Sequence, residues 1–466
     1  MDVLFLARMQ FATTTVFHYF FVPLSIGLAL FIAILQTRYV RTGDKEMKPL
    51  IKFLGKLFTI NFAIGVATGI VQEFQFGMNW SEYSRYVGDI FGVPLAIEAL
   101  LAFFIESTFL GLWIFGWEKL SRKLHLACIW LVTAASALSA FWILTANSFM
   151  QNPVGYTINA DTARAELTSF TELLSNPYIA YQYAHVLAGA LATTGFFVLG
   201  ISAYQIMKGR NQLLFNKAFK QAAVFAILGT LAVTGIGHIY GVFLTERQPM
   251  KMAAADAHWN TADNPDWAII AIPDKTQGRN TFAVKVPGML SFLSYNRFGR
   301  QVEGINDLQK DMAVQYGAGD YVPNVWVTFY AFRFMVAAGG LMFLISIPAL
   351  LWRQPEKLAQ KHKFLKLLIP CILLPVIANA AGWIVAEVGR QPWIVYGLQT
   401  VNQGVSQVVA APTVLFSLLG FTALYAVLLV ITVKLMMKFC REGLITETSE
   451  TVEQAPAEAA AVEGGK

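Results

Sequence analysis

Charge is scarce in this chain. Only 14% of its 466 residues are Asp, Glu, Lys or Arg, where soluble domains carry roughly 25%. That shortfall excludes an ordinary soluble enzyme and a charged, disordered scaffold. Cysteine is scarcer still: Cys128, Cys371 and Cys440 lie far apart, in or beside apolar stretches. They offer no disulfide framework, no zinc spacing and no CxxCH for covalent haem. There is no GxGxxG after a strand and no P-loop, which argues against nicotinamide and nucleotide chemistry. The sequence pI is near 9.0, yet Lys and Arg fall in short clusters between apolar runs. A nucleic-acid binder would gather them on one face, so nucleic acid is not an expected partner.

What is abundant is apolar side chain, at 56% of residues, with 36 Phe and 11 Trp. A membrane-crossing helix needs roughly 20 mostly apolar residues. Nine runs qualify, at about 14–36, 57–76, 91–117, 125–149, 179–207, 219–243, 326–351, 365–388 and 411–433. The fold class expected is an all-α integral membrane protein, a bundle of about nine transmembrane helices. The first run lacks a basic leader and a small-residue cleavage site, so it reads as a retained span. No short repeat or inverted transporter repeat is evident.

Basic residues set the orientation. Segments 37–56, 118–124, 208–220, 352–366 and 434–441 hold 21 of the 35 Lys and Arg. Connections 77–90, 150–178 and 389–410 hold one each, Arg85, Arg164 and Arg390. The positive-inside rule then puts the N-terminus outside and the C-terminus in the cytoplasm. The expected division is 1–243 for spans one to six, 244–325 for an extracytoplasmic loop, 326–441 for spans seven to nine, and 442–466 for a disordered, Ala- and Glu-rich tail. A loop as long as 244–325 is ordinarily functional or disordered. Its Trp259, Trp267, Phe282 and Phe292 suggest that it packs on the membrane surface and binds something there.

Ionisable residues inside spans are costly and usually functional. Here they are His18, Glu73, Glu98, Glu106, His185, Arg333 and Glu387, with His238 near the end of span six. The topology places His18, His185, Met335 and Glu387, from four helices, in the outer leaflet. All four are residue types that bind haem iron axially, and Arg333 and Arg390 suit haem propionates. Singly, each has a plainer role: histidines bond neighbouring helices, methionines pack, and an acid at a helix end is solvated. The joint placement is what favours haem. The six histidines contain neither the adjacent membrane pair of a haem–copper oxidase nor the paired helices of a bis-histidine cytochrome.

At this point the motifs resemble a known family. Gly389-Arg390-Gln391-Pro392-Trp393, preceded by Glu387, is similar to the signature of subunit I of cytochrome bd-type quinol oxidases. So are Phe17-His18-Tyr19-Phe20-Phe21-Val22-Pro23-Leu24, Glu73-Phe74-Gln75-Phe76-Gly77, Asn79-Trp80, Pro94-Leu95-Ala96-Ile97-Glu98, Phe103-Phe104-Ile105-Glu106-Ser107-Thr108-Phe109 and Met150-Gln151-Asn152-Pro153. The likeness covers nearly the whole chain, with the short form of the loop. It implies a quinol:O2 oxidoreductase of the respiratory chain in the bacterial cytoplasmic (inner) membrane. Its cofactors would be two b-type haems and one d-type haem, or b in place of d. Its partners would be subunit II and often a small single-span subunit, with ubiquinol or menaquinol as substrate.

The same resemblance implies roles for residues. His185 and Met335 match the ligands of the low-spin haem, and His18 and Glu387 those of the two high-spin haems. Which of these is d-type stays open. Arg333, Arg390 and Trp383 match residues around the haems, and Glu98 and Glu106 match acids of proton delivery. Lys251 matches a quinol-site lysine. Asp256 matches the acidic quinol-site residue, with the shorter Asp standing where the family ordinarily has Glu. On an ideal helix Glu98 and Glu106 lie about 12 Å apart and roughly 80° around the axis, flanking one cavity without a direct relay. Ser107, Ser139 and Asn147 are candidates to bond intervening waters. A secondary transporter or ion channel, and a membrane anchor without cofactor, are the rival classes.

Overall fold

The structure is a computed structural model that describes residues 2–444. The expected tail, apart from its first three residues, lies outside them. Among the described residues nine helical segments are long and apolar enough to cross a membrane: Val3–Thr42, Met47–Met78, Ser81–Phe115, Arg122–Gln151, Phe170–Met207, Gln212–Arg247, Val325–Leu351, His362–Val388 and Ala411–Glu442. They correspond one to one with the nine apolar runs and are numbered here as spans one to nine. Connections 152–169 and 248–324 lie on one side of the bundle, termed the loop side.

Local sequence explains where the helices start, stop and bend. Span one is two helices, Val3–Tyr19 and Val22–Thr42. Pro23 has no N–H to donate, and its ring clashes with the carbonyl four residues back, so the helix breaks just after His18. Gly43, at φ +69°, closes the second helix by donating to the Tyr39 carbonyl. Ser121, Asn176 and Asn324 cap spans four, five and seven by accepting from the N–H groups of Leu124, Tyr178 and Val327. In span three, Pro94 is followed by a widened π turn over Glu98–Phe103. Such turns absorb one extra residue in a helix and recur at functional sites.

Span five is the central helix, with 83% of its apolar window enclosed, against 11% for span nine. It packs backbone to backbone on span six. A Cβ at Gly195 would lie 2.4 Å from the Ala226 nitrogen, and one at Gly229 would lie 2.3 Å from that of Ala192. Small residues permit this approach in the absence of a hydrophobic drive between helices. The main core, including Phe31, Phe58, Phe196, Phe215 and Phe219, fills the half of the bundle away from the loop.

The long loop is ordered. A short helix, Pro249–Ala255, leads to a hairpin of strands Trp267–Asp274 and Arg279–Val286 and then to the helix Ile305–Tyr316. Trp259, Ala268, Ala271, Leu308 and Met312 pack with Phe329 of span seven and Trp393.

Candidate functional site

Three of the four predicted ligand residues, His18, His185 and Met335, lie at one level. Span five meets span eight where Gly189 faces the Asn379 side chain, whose Nδ2 donates to Thr193 Oγ1 at 3.1 Å. His185 lies four residues from Gly189 toward the loop side, about 6 Å of helical rise. Gly382 lies three residues from Asn379 in the same direction, about 4.5 Å. A Cβ on Gly382 would sit 3.3 Å from the Met335 sulfur of span seven. Met335 and His185 therefore share a depth. Tyr19, next to His18, meets Trp383 edge to face at 5.2 Å, so span one joins that level. Glu387 lies one turn further toward the loop.

Each of three donors rests on a glycine of a neighbouring helix. A Cβ on Gly69 would be 3.1 Å from His18 Cε1, and one on Gly237 would be 3.0 Å from His185 Cε1. With Gly382 under Met335 this makes three cradles. The hydrogen bonds of His18 fix its tautomer. Thr68 Oγ1 donates to the Ile64 carbonyl at 2.9 Å, so it accepts from His18 Nδ1 at 3.0 Å. Nε2 is left with a free lone pair. Among the described residues, the buried Nδ1 of His185 and the indole N–H groups of Trp383 and Trp142 find no hydrogen-bond partner. Orphaned buried polar atoms are rare and need a reason.

Among the described residues no three His, Cys, Asp or Glu side chains converge to hold a metal ion. Single donors on separate helices fit a different kind of group, one that carries its own equatorial ligands and takes only axial ones. Haem is that kind of group.

Glu387 sits in a hydrogen-bonded nest. Its carboxylate pairs with Arg390 and accepts from Asn147 Nδ2 at 3.0 Å and Gln151 Nε2 at 3.2 Å. Gln151 connects the nest to Lys251, whose Nζ donates to Gln151 Oε1 at 2.7 Å. Lys251 is 2% exposed and runs beneath Gly389, whose Cβ would lie 2.8 Å from Lys251 Cγ. Burial holds its ammonium well below the usual lysine range, Arg390 pushes the same way, and Glu387 opposes.

Lys251 and Asp256 have different partners. Asp256 Oδ1 accepts from Arg333 at 3.0 Å and from Trp267 Nε1 at 3.0 Å. It also lines a narrow cleft with Met252, His258, Tyr295 and Glu303. Arg333 donates further to the carbonyls of Ala268, at 2.6 Å, and Ala255, at 3.3 Å, and stacks on Phe329 and Trp267. Its guanidinium fastens the loop to span seven, a role the sequence did not indicate.

Glu98 and Glu106 both face span four. Ser139 donates to Glu98 at 2.6 Å, and Ser136 donates to Glu106. The π turn accounts for this: with one residue absorbed, the roughly 80° offset of an ideal helix becomes about −20°. Span four therefore lines up Ser136, Ser139, Asn147 and Gln151 opposite three carboxylates. Ser107, expected to bond water, turns back on the carbonyls of Phe103 and Phe104. Ser136, Gln151, Thr68 and the three glycines were missed. Ser136, one turn before Ser139, and Gln151, inside the Met150-Gln151-Asn152-Pro153 motif, had a readable signal.

His125 and His238 stand apart from these groups. His125 is locked in a buried ring: it donates to the Trp113 carbonyl and accepts from Gln36, which accepts from Trp113 Nε1, each at 2.7 Å. His238 contacts Asn296 Oδ1 in the loop. Glu73 is exposed.

Comparison with known proteins identifies the family. The family model for cytochrome bd terminal oxidase subunit I matches residues 6–444. Cytochrome bd ubiquinol oxidase subunit 1 of Bacillus subtilis (strain 168) is 47% identical over 95% of this chain and 94% of its own length. Cytochrome bd-II ubiquinol oxidase subunit 1 of Escherichia coli (strain K12) is 37% identical over 96% of this chain and 98% of its own. The bd oxidase structure from Geobacillus thermodenitrificans superposes with a TM-score of 0.85 at 28% identity, covering 95% of this chain and 99% of that one. On sequence, span architecture and the fold of a solved relative, this chain belongs to the cytochrome bd terminal oxidase subunit I family.

Proposed function

We propose that the chain is the haem-carrying subunit of a quinol:O2 oxidoreductase, as the names of its relatives suggest. The carrying observation is the shared depth of His18, His185 and Met335, each pressed on a glycine, with a buried imidazole nitrogen of His185 unpartnered. His185 and Met335 would hold a low-spin b-type haem. His18 and Glu387 would each bind one high-spin haem, one b-type and one d-type, or b-type in both. Bound haem supplies one-electron transfer and the reduction of oxygen to water.

The chain's own groups do the rest. Asp256, fixed through Oδ1 by Arg333 and Trp267, offers its carboxylate to a quinol hydroxyl and takes up its proton on the extracytoplasmic side. Lys251 holds Gln151, and through it Glu387, in position. Arg390 and Trp383 complete the surroundings. Glu98 and Glu106, each held by a serine of span four, relay protons taken from the cytoplasm. Quinol protons released on one side and substrate protons drawn from the other make turnover electrogenic without a pump. This reading puts the N-terminus outside, in the bacterial inner membrane, beside subunit II and a small single-span subunit.

The test is optical. A pyridine-haemochrome and reduced-minus-oxidised analysis of the purified complex should show b- and d-type bands. Met335→Leu should turn the low-spin haem high-spin and cripple quinol oxidation. An unchanged spectrum would overturn the ligand assignment, and a colourless complex that takes up no oxygen would overturn the function.

A further inference from the structure

The loop hairpin has two unlike faces. Ala268 and Ala271 of its first strand are buried against the loop core and span seven. On the other face Ile270 pairs with Val284 and Ile272 with Phe282. These four side chains are 49%, 45%, 48% and 52% exposed, and Ile269, pushed out at a register shift, is 42% exposed. Five large apolar groups on one side of a two-stranded hairpin are an uncommon surface for water to cover.

Hydrogen bonds fix how deep that face lies. Arg333 donates to the Ala268 carbonyl, Tyr330 Oη donates to that of Ala271 at 2.8 Å, and Lys275 Nζ donates to that of Val322 at 2.9 Å. The first strand therefore runs antiparallel along the start of span seven, and its turn points away from the bundle. Span seven has 27 residues, or about 40 Å, while the hydrocarbon layer is about 30 Å thick. Counted from Leu351, about 20 residues of helix use that thickness and end near Ala331, level with the lower hairpin. Beside it on span seven, Trp326 and Phe334 are 54% and 61% exposed and continue the apolar surface. The hairpin also has unpaired backbone edges, which need water and cannot enter the hydrocarbon itself.

We infer that the hairpin 267–286 lies in the lipid interface of the leaflet bordering the loop. Ile270, Ile272, Phe282 and Val284 are turned into the acyl–headgroup boundary, continuous with the lipid-facing side of span seven. The occupant of this face is the bilayer. The polar turn, Asp274 to Arg279, stays in water, held by the Lys275–Asp320 ion pair.

Depth-dependent quenching tests this in the assembled complex in lipid nanodiscs. Ile270→Cys, Phe282→Cys and the turn variant Gln277→Cys, each in a Cys440→Ser background, are labelled with a polarity-sensitive fluorophore. Labels at 270 and 282 should emit to the blue and be quenched by lipids brominated near the top of the acyl chain, with little effect of iodide. The label at 277 should behave oppositely. Iodide quenching at 270 and 282 equal to that at 277 would overturn the inference by placing the face in water. Protection from both quenchers would overturn it by showing a protein partner there. Haem spectra of each variant report that the complex has assembled.

Discussion

The glycine beneath His185 allows a sharp perturbation. In Gly237→Ala the new methyl would stand 3.0 Å from His185 Cε1 and 3.4 Å from Nδ1. Carbon atoms in comfortable contact are about 3.5–4.0 Å apart. The imidazole must yield by about 0.5 Å, and overpacking of this kind costs about 1–3 kcal/mol. If that cost falls on the ligand bond, haem retention at this site weakens by about 5- to 150-fold. Gly235, two residues earlier on span six, has nothing within 4 Å of its Cβ position. Gly235→Ala therefore adds the same methyl and the same helix propensity without the clash. Pyridine-haemochrome content and the low-spin band should change in Gly237→Ala and stay at the parent value in Gly235→Ala. Identical haem content and spectra in the two variants would refute the cradle and, with it, the placement of His185 against span six.

Ser136→Ala removes the bond to Glu106 and should slow turnover about 10-fold at unchanged haem spectra; oxygen uptake at the parent rate counts against Ser136. Gln36→Leu leaves the Trp113 indole and His125 Nδ1 unpaired in a buried site, at about 1–3 kcal/mol each, so the complex should melt at a lower temperature. An unaltered melting temperature would mean the Gln36–His125–Trp113 ring carries no stability. Lys251 has a folded value held below the ordinary one by burial and Arg390, so the unfolded chain binds the extra proton. Stability then rises with pH across the window between the lowered value and the ordinary value of about 10.4. Lys251→Met should flatten that rise in thermal melts from about pH 7 to about pH 10, and an unchanged slope would assign it to another group.

Span number and order were legible because apolar length is a constraint the bilayer writes directly into sequence. Span ends were less so. The helix of span one begins at Val3, well before the apolar run, because Gln10 donates to Gln75 and accepts from Ser417 on neighbouring helices. Polar residues paired in this way do not end a helix, though they end a hydropathy run. The two glutamates of span three were found, but their relation was not, since ideal helix geometry does not foresee the π turn after Pro94. The glycine cradles were illegible for a different reason. A glycine carries no mark of what lies across from it, and only the assembled neighbours show which of the 35 are pressed on His18, His185 and Met335. Arg333 was read as a cofactor residue from its guanidinium and from the family resemblance; its ties to loop carbonyls 65 and 78 positions away in sequence are visible only in the folded chain.

The fastening of the loop through Arg333 has a mechanical consequence. The thioether of Met335 is two residues further along the same helical turn, and the carboxylate of Asp256 is gripped by the guanidinium itself. A force that lifts the hairpin, or a substrate that draws Asp256 aside, is delivered to the turn bearing that sulfur with no flexible joint between. Asp256 at the rim and Met335 in the interior are therefore strung on one taut tether.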